Sequence, residues 1–250
     1  MTGSVHTGVL YVVGFGSGSP EGMTIEARRV IGKSDLIVGY TVYVNLLQDL
    51  FPKKEMRETG MRQETERVRM ALEEASRGKT VSLICSGDAA VYGMAALAIE
   101  LGAHMEHQPR IEIVAGVTAA LSGGALLGAP LTNDFALISL SDLLTPAETI
   151  EKRLRAAGEA DFVIVLYNPS SKGRPAHLRH ACEILLESRP ADTCCGYARC
   201  IGRAGEESGI LSLGQLRNFP ADMFTTVFIG NSDTRAVGGK LITSRGYRNV

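Results

Sequence analysis

Val81-Ser82-Leu83-Ile84-Cys85 is an unbroken run of mostly apolar residues; Ser86-Gly87-Asp88-Ala89-Ala90-Val91-Tyr92-Gly93 is a turn with two glycines and one carboxylate; Met94-Ala95-Ala96-Leu97-Ala98-Ile99-Glu100-Leu101 is rich in helix formers. The three read as a buried strand, a tight loop and a helix, which is the repeating unit of an α/β fold. In a parallel sheet such a loop lies at the carboxyl edge, where small ligands bind. Asp88 has two readings from the sequence, a ligand contact or a cap on the helix that follows.

The unit recurs upstream. Gly8-Val9-Leu10-Tyr11-Val12-Val13 shows no polar alternation, so both faces of this strand are expected to be covered, as in a parallel sheet. It opens into Gly14-Phe15-Gly16-Ser17-Gly18-Ser19-Pro20. Thr24 then caps a helix over 24–33, with Ile25, Ala27, Val30 and Ile31 expected on its inner side. A strand over 35–39 and a helix over 43–50, stopped by Phe51-Pro52, come next. An amphipathic helix over 63–76, with Val68, Ala71, Leu72 and Ala75 inward, leads back to residue 81. Downstream, a strand over 110–114 runs into Gly116-Val117-Thr118-Ala119-Ala120 and a small-residue helix over 119–127.

Gly128-Ala129-Pro130-Leu131-Thr132-Asn133 breaks this alternation. The chain therefore reads as two α/β domains, 1–127 with a parallel sheet and 128–250 with a mixed sheet, and a ligand cleft between them. In the second domain, strands are expected over 136–140, 162–167, 193–197 and 225–230, with 206–213 a strand or hairpin arm. Helices are expected over 145–157 and 176–187, with a short one over 213–219. No internal repeat is visible.

Composition and spacing remove several function classes. Net charge is −1 and the sequence pI about 6.5, which argues against a broad basic face for nucleic acid. No apolar run approaches the ~20 residues of a membrane helix. Residues 1–8 lack the basic start and apolar core of a signal peptide. The five cysteines, 85, 182, 194, 195 and 200, are odd in number and scattered, which fits a reducing cytoplasm. Cys194 and Cys195 share a strand, so their thiols should point to opposite faces.

The pairs His104/His107 and His177/His180 lack zinc-ligand spacing, so no metal is expected. No Gly-x-Ser-x-Gly elbow joins a strand to a helix, and no P-loop lysine is present. Nor is 14–20 a dinucleotide fingerprint. Its glycines fall at positions one, three and five, Pro20 follows, and strand 35–39 ends without an acidic residue for a ribose. A nicotinamide oxidoreductase is thereby disfavoured.

What remains is a set of glycine-marked strand ends, and their order carries a resemblance. The run 12–20, the Ser-Gly-Asp-x-x-x-Tyr-Gly of 86–93 and Gly116-Val117-Thr118-Ala119-Ala120 resemble the ordered signature of the tetrapyrrole methylases, over nearly the whole chain. Within that family, three runs are most similar to members that methylate C17 of precorrin-3B. These are 125–142, Tyr167-Asn168-Pro169-Ser170-Ser171-Lys172-Gly173-Arg174, and Gly230-Asn231-Ser232. The resemblance implies S-adenosylmethionine as cofactor, S-adenosylhomocysteine as product, ring contraction to precorrin-4, and a cytoplasmic homodimer.

Carried over by position, it implies cofactor contacts at Pro20, Ser86, Gly87, Asp88, Val91, Thr118, Ala119, Asn168 and Ala198, with Asp88 the candidate catalytic group. Gly14, Gly16 and Gly18 would face the substrate, and Arg174, Arg199 and Arg203 would clamp its carboxylates. Asp88, Tyr92, Asp134, Asp142 and Asp233 stay unranked as proton carriers. The chain departs from the family at Ser86 and Ala89, where most relatives have glycine and proline. Two alternatives stand beside this reading: a cobalt-loaded substrate, cobalt-factor III, and a tetrapyrrole-binding protein without turnover.

Overall fold

The computed structural model describes residues 8–171 and 173–246. The leader reading of 1–7, and Lys172 in the 168–174 motif, lie outside the described residues. The chain divides into two units, Met1–Thr118 and Ala119–Val250.

The first unit holds strands β1 (Val9–Gly14), β2 (Leu36–Tyr40), β3 (Glu55–Thr59), β4 (Thr80–Cys85) and β5 (Arg110–Val114). Between them run helices α1 (Ile25–Lys33), α2 (Thr41–Gln48), α3 (Glu64–Ser76) and α4 (Ala95–Gly102). The strands form one sheet in the order β3-β2-β4-β1-β5, and every pairing is parallel. Both faces are covered, as the unalternating strands predict. Leu10, Val12, Leu36, Val81 and Leu83 pack with Val68, Ala71, Leu72 and Ala75 of α3. Val13, Ile37 and Ile84 pack with Ala27, Val30 and Ile31 of α1 and with Val44 and Leu47 of α2. Each such Leu, Ile or Val contributes about 1.5–3 kcal/mol when fully removed from water.

Ile25 is a correction: it is 89% exposed. At two residues before Ala27 it lies about 200° round the helix, on the outer side. Strand β3, Glu-Met-Arg-Glu-Thr, was not expected from its charged pattern. It is the sheet's edge, where one side needs no partner and charges are tolerated.

The topology marks one place on this sheet. From β1 the chain leaves toward β2 and β3, through α1 on one face. From β4 it leaves the opposite way toward β5, through α4 on the other face. Neighbouring strands β1 and β4 thus form a topological switch point, with a crevice at their carboxyl ends.

The second unit comprises α5 (Ala119–Leu127), β6 (Gly128–Ala129), β7 (Phe135–Ser139), α6 (Ala147–Glu159), β8 (Val163–Tyr167), α7 (His177–Leu185) and β9 (Cys194–Arg199). It continues through β10 (Glu207–Ser212), α8 (Leu213–Leu216), β11 (Thr225–Ile229), β12 (Thr234–Val237) and β13 (Lys240–Thr243). Its main sheet, β10-β9-β11-β8-β7, is mixed: β7 and β8 are parallel and the other pairs antiparallel. Cys195 lies in the core against α6 and α7, while Cys194 packs with the cluster on the other face, so the two thiols do diverge. The small sheet β12-β13-β6 was not read from the sequence.

Helix α5 was expected to close the first domain, but it counts with the second unit. Ala120 and Leu127 pack with Val165, Ala198 and Phe228. At Gly123 a Cβ would already lie 3.1 Å from Ala198, Ile201 and Phe228. The small residues of α5 are the fit to this sheet, so the division falls at Thr118–Ala119.

Candidate functional site

In the first unit the loops after β1, β4 and β5 meet through bare backbone. Gly16 and Gly87 exchange hydrogen bonds, Gly16 N to Gly87 O at 3.0 Å and Gly87 N to Gly16 O at 2.7 Å. Gly87 has φ +68°, a conformation that favours glycine. Gly14 touches the same turn: a Cβ there would lie 2.7 Å from Gly87 O and 2.8 Å from Gly116 N. Asp88 then braces the assembly. Its Oδ1 accepts from Ala90 N at 2.8 Å and its Oδ2 from Gly116 N at 2.9 Å.

Of the two sequence readings of Asp88, the helix cap is corrected: α4 starts at Ala95 with Met94 at its N-cap and no side-chain cap hydrogen bond, and neither N–H that Asp88 accepts lies in α4. The carboxylate fixes its own loop and ties it to the loop after β5, while its remaining lone pairs stay available to a ligand. Thr24 does similar work, accepting from Ala27 N and donating to Ala115 O. Ala89 is fully buried, and its carbonyl accepts from Ala95 N at 3.0 Å, starting α4. The loop is thus set by hydrogen bonds and not by a proline ring. Tyr92 adds a positive φ of 54° in a non-glycine residue. Of the other expected contacts, Ser86 and Val91 are half-buried, Thr118 is buried and Pro20 is exposed. Gly18 has φ +119°.

In the second unit the parallel pair β7 and β8 presents a polar cluster at its carboxyl ends. Asn168, with φ +53°, donates from Nδ2 to Ser139 Oγ at 2.9 Å. Ser139 Oγ also accepts from Ser141 N. Arg174 donates to Ser141 Oγ at 2.8 Å and pairs with Asp142 at 3.2 Å. His177, the first residue of α7, bonds Leu140 O through Nδ1 at 2.8 Å, and its Nε2 lies 3.6 Å from Asp142 Oδ2. Beside them Tyr167 OH accepts from Ala120 N at 2.8 Å, fixing the start of α5 next to Ala119. Ala198 is fully buried in β9, paired with Ser208 on one side and Thr226 on the other, so it exposes no atom at the surface.

The three expected clamps all have partners within the second unit. Arg174 has Asp142, Arg199 pairs with Asp222 at 2.8 Å, and Arg203 lies over the Phe224 ring at 5.9 Å. A carboxylated ligand would have to share or displace these partners. Burial pushes the Cys85 thiol, at the end of β4, up to about 11. It stays protonated near neutrality and is a poor nucleophile.

Two features carry no signal of their own in the sequence. The spacing of His177 and His180 bears only on metal binding; the proximity of His177 to Asp142 arises from the parallel pairing of β7 and β8. Arg67 of α3 is 3% exposed, donates to Gly60 O at 2.7 Å and lies 5.7 Å from the Tyr40 ring. Burial lowers its pKa. An arginine within an amphipathic helix gives no signal of this in the sequence.

The chain is similar to known proteins over nearly its whole length. Residues 9–217 match the model of the tetrapyrrole (corrin/porphyrin) methylases. The chain is 44% identical over 239 residues to a probable cobalt-factor III C(17)-methyltransferase of Salmonella typhimurium, covering 96% of this chain and 99% of that one. It is 42% identical over 234 residues to a precorrin-3B C(17)-methyltransferase of a Sinorhizobium species, covering 92% of each. The crystal structure of the methyltransferase CobJ matches with a TM-score of 0.88 at 37% identity, over 95% of this chain and 100% of that one.

Proposed function

This chain belongs to the tetrapyrrole (corrin/porphyrin) methylases, and we propose that it transfers a methyl group from S-adenosylmethionine to C17 of precorrin-3B, with ring contraction to precorrin-4, in cobalamin biosynthesis. Relatives similar over nearly their whole length carry the C17 activity in their names. The observation in the molecule that supports it most is the brace at the β1/β4 switch point, where Asp88 holds two glycine-lined loops together.

The residues there fit the cofactor. Its sulfonium is a cation, and the loop stretches 14–24, 86–94 and 115–118 contain no lysine or arginine. They offer backbone groups, hydroxyls and two carboxylates, Glu21 and Asp88, a donor set suited to a cationic, amino-acid-bearing ligand. When bound, the cofactor supplies an electrophilic methyl group, so transfer to carbon needs only positioning of two reactants. The residues proposed to hold it are Pro20, Ser86, Gly87, Asp88, Val91 and Thr118 of the first unit, with Ala119, Asn168 and Ala198 of the second. Gly14, Gly16 and Gly18 are proposed to face the substrate. Asp88 is proposed to bind and brace before it does any chemistry.

Asp88→Ala leaves Ala90 N and Gly116 N without acceptors. It should weaken S-adenosylhomocysteine binding by about 1–3 kcal/mol, measured by calorimetry, with Asp88→Asn losing less. Unchanged affinity in folded Asp88→Ala would take the residue out of the site. For the activity, purified protein is given methyl-labelled cofactor with precorrin-3B and, separately, cobalt-factor III. Relatives of nearly equal identity are named for each substrate, so the preferred one is read from turnover. A mass-shifted product from either excludes a non-catalytic carrier. Tight NAD binding without S-adenosylhomocysteine binding would overturn the proposal. The chain is further proposed to act as a cytoplasmic homodimer; sedimentation at the mass of one chain would remove the dimer.

A further inference from the structure

We propose that His177, oriented by Leu140 and faced by Asp142, is the base that takes the proton the macrocycle must lose on methylation; this rests on the methyltransferase reading above. The tautomer is fixed by geometry. A carbonyl oxygen only accepts, so the 2.8 Å contact with Leu140 O puts a hydrogen on Nδ1, and in the neutral ring the lone pair is then on Nε2. That nitrogen lies 3.6 Å from Asp142 Oδ2, so an imidazolium formed there meets a carboxylate. The other charge at this point is Arg174, which pairs with Asp142 Oδ1 at 3.2 Å. One turn along α7, His180 is taken by Glu151 of α6 at 2.9 Å.

The surroundings suit a conjugated ring. Asp142 is followed by Leu143 and Leu144, which are 55% and 98% exposed, an apolar surface directly beside the ion cluster. Asn168, a proposed cofactor contact, joins the cluster through Ser139 and Ser141. Two of the rival carboxylates already have partners. Both Asp88 oxygens accept backbone N–H groups, and Asp142 is paired with Arg174. The Cys182 thiol is pushed up to about 12 by burial.

The step balances. A C–C bond forms with an electron pair from the macrocycle, and the S–CH3 bond breaks with its pair left on sulfur. The positive charge passes to the ring, and one proton leaves it for His177 Nε2, regenerating a neutral π system and an imidazolium.

The test compares wild type, His177→Asn and Asp142→Asn in methyl transfer, S-adenosylhomocysteine binding and thermal melting. Nitrogen-15 NMR of the wild-type imidazole reads the tautomer directly. In His177→Asn the amide keeps a donor toward Leu140 O but supplies no base. The expected result is a fall in turnover of about 100-fold or more, loss of the acid limb of the pH profile, cofactor affinity within twofold of wild type, and an Nδ1–H tautomer. Asp142→Asn should lose less turnover and shift that limb.

Turnover of His177→Asn within threefold of wild type, or an Nε2–H tautomer, overturns the assignment. So does a loss of cofactor affinity and melting temperature that accounts for the loss of rate. Should His177→Asn not fold, an unaltered pH profile in Asp142→Asn overturns it equally. A wild type that methylates neither substrate overturns the parent reading and this one together, whereas an active wild type matched by His177→Asn sinks only the base.

Discussion

A Cβ on Gly14 would sit 2.7 Å from the Gly87 carbonyl oxygen, 2.8 Å from Asp88 Cα and 2.8 Å from Gly116 N. All three are backbone atoms in loops cross-linked by Asp88, so none can yield as a flexible side chain would. Gly14→Ala should therefore destabilise the protein by about 2–3 kcal/mol, at the upper end of overpacking costs. Gly173→Ala, with nothing within 4 Å of its Cβ, should stay within about 0.5 kcal/mol of wild type. Denaturant midpoints of the two variants check this, and equal midpoints would mean the strand-end loops can separate. The sequence showed glycines at several strand ends without distinguishing those that permit contact from those that make turns. Gly14 is now the former and Gly87, at φ +68°, the latter. Asp88 could be placed in the loop but not ranked, because cap and ligand contact look alike until its second oxygen is seen reaching Gly116 N.

Edge strand β3 and helix α3 are joined by charges. Glu74 Oε1 takes Arg57 at 3.1 Å and Arg77 at 2.9 Å, and its Oε2 takes Lys79 at 2.8 Å, with the carboxylate side chain only 10% exposed. The Lys79 hydrogen bond, followed by the Arg57 one, holds the Glu74 carboxyl at about 2, against an ordinary 4.5. Because the folded pKa is the lower one, the stabilisation is full above pH 4.5 and is lost as the pH falls from there toward 2. Glu74→Gln should thus cost about 1–2 kcal/mol at pH 7. The gap to wild type should narrow through pH 4 and 3, and partly close in 1 M salt. Urea titrations across that range check it, and a gap independent of pH would assign the loss to packing. The same charges explain what was legible. Strands buried on both faces, such as β1, β4 and β8, announce themselves as apolar runs. β3 is an edge whose side chains serve an ion cluster, β12 is short and largely exposed, and β13, although Leu241 and Thr243 are buried, has only four residues, too few for an apolar signature. The boundary at Thr118–Ala119 was hidden because a helix of Ala, Gly and Leu could continue either unit, and only its fit to Val165, Ala198 and Phe228 decides.

Across the whole molecule, 26 basic and 27 acidic side chains leave almost no net field, so a polycarboxylate substrate would be selected by local groups and not by long-range steering. Each unit has a core on both faces of its own sheet, which makes separable unfolding transitions the expectation. The proposed cofactor contacts are divided between Met1–Thr118 and Ala119–Val250. A ligand that binds only the folded form at 100 times its Kd adds about 2.7 kcal/mol, which for units of this size raises a melting midpoint by about 10 °C. If residues of both units hold it, S-adenosylhomocysteine should raise both transitions or merge them into one. Scanning calorimetry with S-adenosylhomocysteine, and with NAD as control, reads this directly. A shift confined to one transition would place the cofactor on that unit alone and remove the contacts proposed in the other. No shift from S-adenosylhomocysteine, with a shift from NAD, would return the glycine loop after β1 to the dinucleotide role that its spacing argues against.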